Sequence, residues 1–146
     1  MNRKSLTIVS IAIVVFIASQ QVDITPPPPD AGQSVETSSS IEQAYLGQHS
    51  DIQVSGQGVV VKVLPDDNDG SRHQRFILKL DNNRTVLVAH NIDLAPRIKD
   101  LNKGNRVEFN GEYEWNEKGG VIHWTHHDPA GRHVAGWLKH NGKTYQ

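Results

Sequence analysis

Between residues 105 and 115 the chain reads NRVEFNGEYEW, and apolar and polar positions alternate without a break. In an extended chain Val107, Phe109, Gly111, Tyr113 and Trp115 fall on one side. Arg106, Glu108, Asn110, Glu112 and Glu114 fall on the other, so this stretch reads as a strand with one buried face. The period of two recurs along the chain. VSGQGVVVKVLP (54–65) is a β-branched run closed by proline, and RHQRFILKL (72–80) sets Phe76, Leu78 and Leu80 on one face. RTVLVAH (84–90) follows through Asp81-Asn82-Asn83, a hairpin-type loop, and GGVIHWTH (119–126) follows a turn over 116–120. NIDLAPRIKDLNKG, interrupted by Pro96, predicts a short helical or irregular connector between the third and fourth strands.

Three strands, a connector and two further strands predict an all-β domain, a five-stranded OB-like Greek-key barrel. Gly56 and Gly58 suit the bend its first strand needs. Ser40-Ile41-Glu42-Gln43 has capping-box spacing and predicts a short N-terminal helix over about 41–48. Asn141-Gly142 predicts a C-terminal hairpin extension, with Trp137 and Leu138 as apolar cover.

Ahead of this domain the pattern changes. Residues 1–19 open with Arg3 and Lys4 and continue into the apolar run Leu6–Ala18, broken by Thr7 and Ser10. A helix of that run spans roughly 20 Å, less than a hydrocarbon core of about 30 Å. It therefore reads as a signal peptide, or as a membrane anchor if uncleaved, and the expected location is the periplasm or the outer face of the inner membrane. Residues 20–39, with Pro26 to Pro29 and a Ser/Thr/Gln-rich remainder, read as a stiff spacer. The folded domain is expected over 40–146, with the membrane involved only through the N-terminal segment.

Composition removes several function classes. The 146 residues carry a formal net charge of −1, which gives no general attraction to nucleic acid or anionic lipid. There is no cysteine, hence no disulfide, thiol nucleophile or Cys-ligated zinc. No serine stands in a G-x-S-x-G context, and no catalytic residue is assigned. PDDNDG (65–70) fails as a calcium-binding EF-hand loop, since Pro65 and Phe76 fall where its first aspartate and last glutamate belong, and reads as a solvated acidic turn. Glu108, Glu112 and Glu114 read as a solvated strand face.

Histidine is the remaining oddity, with eight in the chain and five between 123 and 140. One candidate set is a metal site of His123, His126, His127, Asp128 and His133, whose imidazoles and carboxylate suit Zn²⁺ or another divalent transition ion. Its spacing matches no established metal template, and the alternative is that these side chains hydrogen-bond backbone and carboxylates. A second candidate set is a ligand pocket of His73, Arg75, His90, Asn91, Asp93 and Arg132 at strand ends and adjoining loops. Whether the two sets meet depends on strand register. Apart from such an ion no cofactor is indicated.

HQRFILKL, HNIDLAPRI, GEYEWNEKGGVIHWTHHDP and GRHVAGWLKHNGKTYQ together resemble a bacterial domain-of-unknown-function family of small exported proteins. The resemblance covers 40–146 and implies an OB-like barrel and export, but no activity. The functional expectation is an exported envelope binding module for a small anion, an oligosaccharide or a protein. The alternatives are a metal-dependent hydrolase or nuclease using 123–133, and a protein-binding inhibitor or immunity-type factor.

Overall fold

The computed structural model describes residues 29–146, with side chains from Ser38 onward. The expected leader and the first part of the spacer lie outside the described residues. Among the described residues one helix, α1 (Pro29–Gly47), precedes seven strands. They are β1 (Ile52–Asp67), β2 (His73–Lys79), β3 (Thr85–Asn91), β4 (Arg106–Glu114), β5 (Val121–His123), β6 (Trp137–His140) and β7 (Lys143–Tyr145).

The helix is longer than its sequence signal. It starts at Pro29, a first-turn position where the missing N–H costs nothing, so Ser40 lies inside the helix and caps nothing. It ends in a Schellman turn: Gln48, at φ 55°, donates to Tyr45 O, and His49 donates to Ala44 O. Ser38, Ile41 and Ala44 recur every three residues and form its buried stripe, with Ile41 and Ala44 in the core. At the β2–β3 turn, Asn82 donates to Ser38 O and Arg84 to Glu42. The Arg84 guanidinium also lies 4.3 Å over the Tyr45 ring.

The strands form a partly ring-like sheet. Its order is β1-β2-β3-β5-β4-β6-β7, and a further β1–β4 pairing returns the fifth strand to the first. β1 is long enough to serve both neighbours: Ile52 to Val59 pair with β4, and Val59 to Asp67 pair with β2. At this changeover a Cβ on Gly58 would lie 2.9 Å from Lys79 O, so the close approach of β1 and β2 needs glycine. Among the described residues the only parallel pair, β3–β5, is short, and the other pairings are antiparallel.

Alternation fills the inside of the ring. Val54, Val60, Phe76, Leu78, Val86, Val88, Val107, Phe109, Tyr113 and Ile122 are buried together, joined by Leu138 of the C-terminal hairpin. That hairpin turns at Asn141 (φ 48°) and Gly142 (φ 74°), the two left-handed positions of a type I′ turn. It docks on β4 through the β6 pairing. The connector 92–104 forms neither helix nor strand. Gln74 holds it by pairing both its amide groups with the backbone of Ile98, at 2.9 Å each.

β5 is shorter than expected because both ends are set by left-handed residues. Gly119 (φ 118°) and Gly120 (φ 91°) make the turn before it, and Trp124 (φ 51°) breaks the extended chain after His123. Gly120 has no room for a side chain, since a Cβ would lie 2.2 Å from the buried Tyr113 ring. Gly120→Ala is therefore expected to cost about 2–5 kcal/mol from a left-handed alanine plus overpacking. Gly142→Ala, with nothing within 4 Å of its Cβ, should cost only about 1 kcal/mol. Urea unfolding of the two variants against the parent checks the difference.

Candidate functional site

The same alternation that buries Phe76 and Ile122 turns their neighbours outward. His73 and Arg75 of β2, Ala89 of β3, Val121 and His123 of β5, and Glu112 and Glu114 of β4 all leave the core face. Register makes them neighbours: Arg75 lies opposite Ala89, Glu114 opposite Val121, and Glu112 opposite His123. On this outer face opens a cleft of about 320 Å³. Ala89 and Val121 supply apolar lining, and Trp115 and Asn116 line the cleft where β4 ends. Asp67, His73, Arg75, Glu114 and His123 supply its charge and hydrogen-bonding groups.

Most of these side chains are held by neighbours. Arg75 donates from Nε to Pro65 O, and its Nη1 lies 3.9 Å from Asp67. His73 donates from Nδ1 to Ser71 O at 2.7 Å, which in the neutral ring leaves Nε2 as an acceptor. His123 Nε2 sits 3.5 Å from Glu112 and 3.4 Å from Glu114, yet makes no aligned hydrogen bond. Trp115 is fixed by its backbone N–H on Ser50 Oγ and by the Tyr45 ring, with centroids 6.5 Å apart. Its indole Nε1 is buried without a partner. Asn116 accepts from the N–H groups of Lys118 and Gly120 and so shapes the turn into β5.

Residues 124–136 form a strap beside the cleft. Asp128 holds it by accepting from the backbone N–H groups of Ala130, Arg132 and His133. Those donors, Ala130 first, keep its carboxyl below the usual range. The His133 ring stacks on Trp124 at 3.6 Å and reaches Glu112 at 3.3 Å. Gly136 lets the strap return, since a Cβ there would lie 1.9 Å from Trp124 O. Glu112, only 18% exposed, therefore stands between two imidazoles, His123 and His133.

The two predicted sets are redistributed. Of the proposed pocket, His73 and Arg75 line the cleft, whereas His90 is fully buried. Asn91 accepts from Asp93 N–H. Asp93 binds both the backbone N–H and the guanidinium of Arg72, and these donors lower its carboxyl. Arg132 is an exposed strap residue outside the cleft.

Of the proposed metal set, His123 joins the cleft and His133 joins Glu112. His126 donates from Nδ1 to His127 O, and Asp128 is occupied by strap amides. The five do not form a ligand group, and among the described residues no three histidine, aspartate or glutamate side chains are placed to share an ion.

Sequence reasoning missed Asp67, Glu112, Glu114 and Trp115. The signal lay in the hairpin: counting outward from the turn over 116–120 pairs Glu112 with His123, so the acidic face had imidazole partners.

The arrangement gathers donors, acceptors and one indole ring on a strand-built floor, with each charged group already near another. The family model described as Protein of unknown function (DUF3465) matches residues 31–146. No curated protein matches the chain.

His90 yields a measurable consequence. Pro96 O can only accept, so Nε2 carries the proton and Nδ1 accepts from the Thr125 hydroxyl at 2.8 Å. Burial, reinforced by His126 and His73, depresses this imidazole from 6.5 to about 4. Below pH 6.5 the unfolded chain takes up a proton that the folded chain refuses. Stability is thus fully present above about pH 6.5 and is lost as pH falls toward about 4, by about 3 kcal/mol in all. Urea midpoints at pH 7.5 and 4.5 should show this loss in the parent and a smaller one in His90→Gln.

Proposed function

Since the chain belongs to this family of proteins of unknown function, we propose its role from its own geometry: an exported binding module, built on an OB-like Greek-key barrel, that seats its ligand in the outer-face cleft. The strand order β1-β2-β3-β5-β4 with a β4–β1 return supports the OB-like reading. The positively charged, apolar leader and the proline-rich spacer support export to the envelope.

One observation carries the choice of cleft. Among the described residues, four buried side-chain polar atoms lack a hydrogen-bond partner, and two of them, Trp115 Nε1 and His123 Nε2, belong to residues lining this cleft. An orphaned buried polar atom costs about 1–3 kcal/mol, so native folds rarely keep two at one place without a use. The cleft volume of about 320 Å³ sits at the lower end of small-ligand sites, ~300–1,000 Å³.

A metal-dependent hydrolase or nuclease on 123–133 draws no comparable support, because among the described residues its side chains do not converge on a common point. The exposed Leu46, Val63, Leu94 and Val134 come from four separate segments and offer a protein partner less than the cleft does.

Amide-resolved NMR with a mixed library of charged and uncharged small fragments tests the seat itself. Shifted resonances should cluster on 67, 73–75, 89, 114–116 and 121–123. Shifts confined to α1 or to the connector 92–104 would move the site away from the cleft.

A further inference from the structure

We infer that the cleft takes a neutral, polyhydroxylated chain, that is, an oligosaccharide segment. This rests on the cleft being the ligand seat and adds what it recognises.

The first argument is charge. Each carboxylate of the cleft already faces a nitrogen group: Asp67 lies 3.9 Å from Arg75, and Glu114 lies 3.4 Å from His123. Glu112 adds a further carboxylate 3.5 Å from His123. An incoming phosphate or carboxylate would meet Arg75 only alongside Asp67 and Glu114. An incoming ammonium group would meet the Asp67 and Glu114 carboxylates only beside the Arg75 guanidinium. Arg75 is shared with Asp67, so an anion finds no unshared positive group, and a cation would have to compete with Arg75 and the His123 ring for the carboxylates.

The second argument is hydrogen-bond type. A sugar hydroxyl both donates and accepts, so it can bridge groups that are already paired with one another. The cleft offers acceptors in Asp67, Glu114 and His73 Nε2, and a donor in Arg75. Planar groups of this kind match the edge of a pyranose ring, where neighbouring hydroxyls sit close together.

The third argument is the apolar part. Trp115 lines the cleft with Ala89 and Val121. An indole beside a strand-built apolar floor suits the C–H face of a sugar ring, which a small inorganic ion lacks. The cleft is open, so a chain longer than one ring can continue beyond it.

The test titrates the purified full chain with maltohexaose, cellohexaose and the N-acetylglucosamine hexamer, followed by amide NMR and calorimetry. Inorganic phosphate, acetate and spermidine are the charged probes. At least one neutral hexamer should bind and shift the cleft resonances. Trp115→Ala should weaken it at least about tenfold. Asp67→Asn and His73→Ala should each weaken it about three- to tenfold, the loss of one hydrogen bond.

Because Trp115 also packs against the core, the two surface variants carry the test if the tryptophan variant loses its fold. Cleft shifts produced only by charged probes would overturn the oligosaccharide assignment and leave the cleft as the seat. Hexamer binding unaffected by all three substitutions, or no binding by any probe, would overturn both.

Discussion

Strand β4 hydrogen-bonds along both edges, and the ring, the cleft and the C-terminal hairpin all depend on that ladder. One edge carries β1 from Ile52 to Val59; the other carries β5 beside Glu112–Glu114 and then β6 beside Glu108–Asn110. Without it three strands would present open edges, which proteins avoid. The outer face of β4 is correspondingly a row of anchors. Glu108 meets Lys139 at 3.5 Å, and Asn110 binds Gln53, Ser55 and Ala135 O. Glu112 holds the strap through His133, and Glu114 reaches the cleft through His123. Exposed pairs of this kind contribute little individually, about 0–1 kcal/mol. Their value here is positional, because they fix tail, strap and cleft to one strand.

Strand β2 does comparable double duty across its thickness. Its inward Gln74 replaces a missing strand partner for Ile98, and nearby His90 ties Pro96 to Thr125. These buried polar groups are satisfied, so they specify the path of the connector instead of destabilising the core. Its outward His73 and Arg75 line the cleft. The clamp that immobilises the start of β2 from inside therefore also immobilises two cleft-lining side chains outside.

How much of this could be read from the sequence follows the range of the interactions. Alternation located the inward Phe76, Leu78, Val107, Phe109 and Tyr113, and Asn141-Gly142 located the last hairpin, because both signals are local. The helix start differs from its local signal, since a longer helix runs through the Ser40 capping pattern. Its end depends on Gln48 in a left-handed conformation that no glycine announces. β5 is shorter than its alternation for a similar reason: a tryptophan at φ 51° is uncommon, and packing against His133 and Gly136, not propensity, holds it there. The candidate sets divide at longer range. His73 and Arg75 of one and His123 of the other line the same cleft. Only the β3–β5 and β4–β5 registers show that these belong together and that Glu112 and Glu114 belong with them.

A cleft floored by four paired strands differs physically from one made by loops. The ladders fix its backbone, so the placing of its lining side chains does not depend on loop conformation. The orphaned Trp115 Nε1 and His123 Nε2 fit this picture, because neither can relax without disturbing a strand end that the core and the Gly119-Gly120 turn hold in place. Trp115 packs against the core, and His123 sits between a buried Ile122 and the left-handed Trp124. The cost of those two atoms is thus locked in by the same contacts that stabilise the fold.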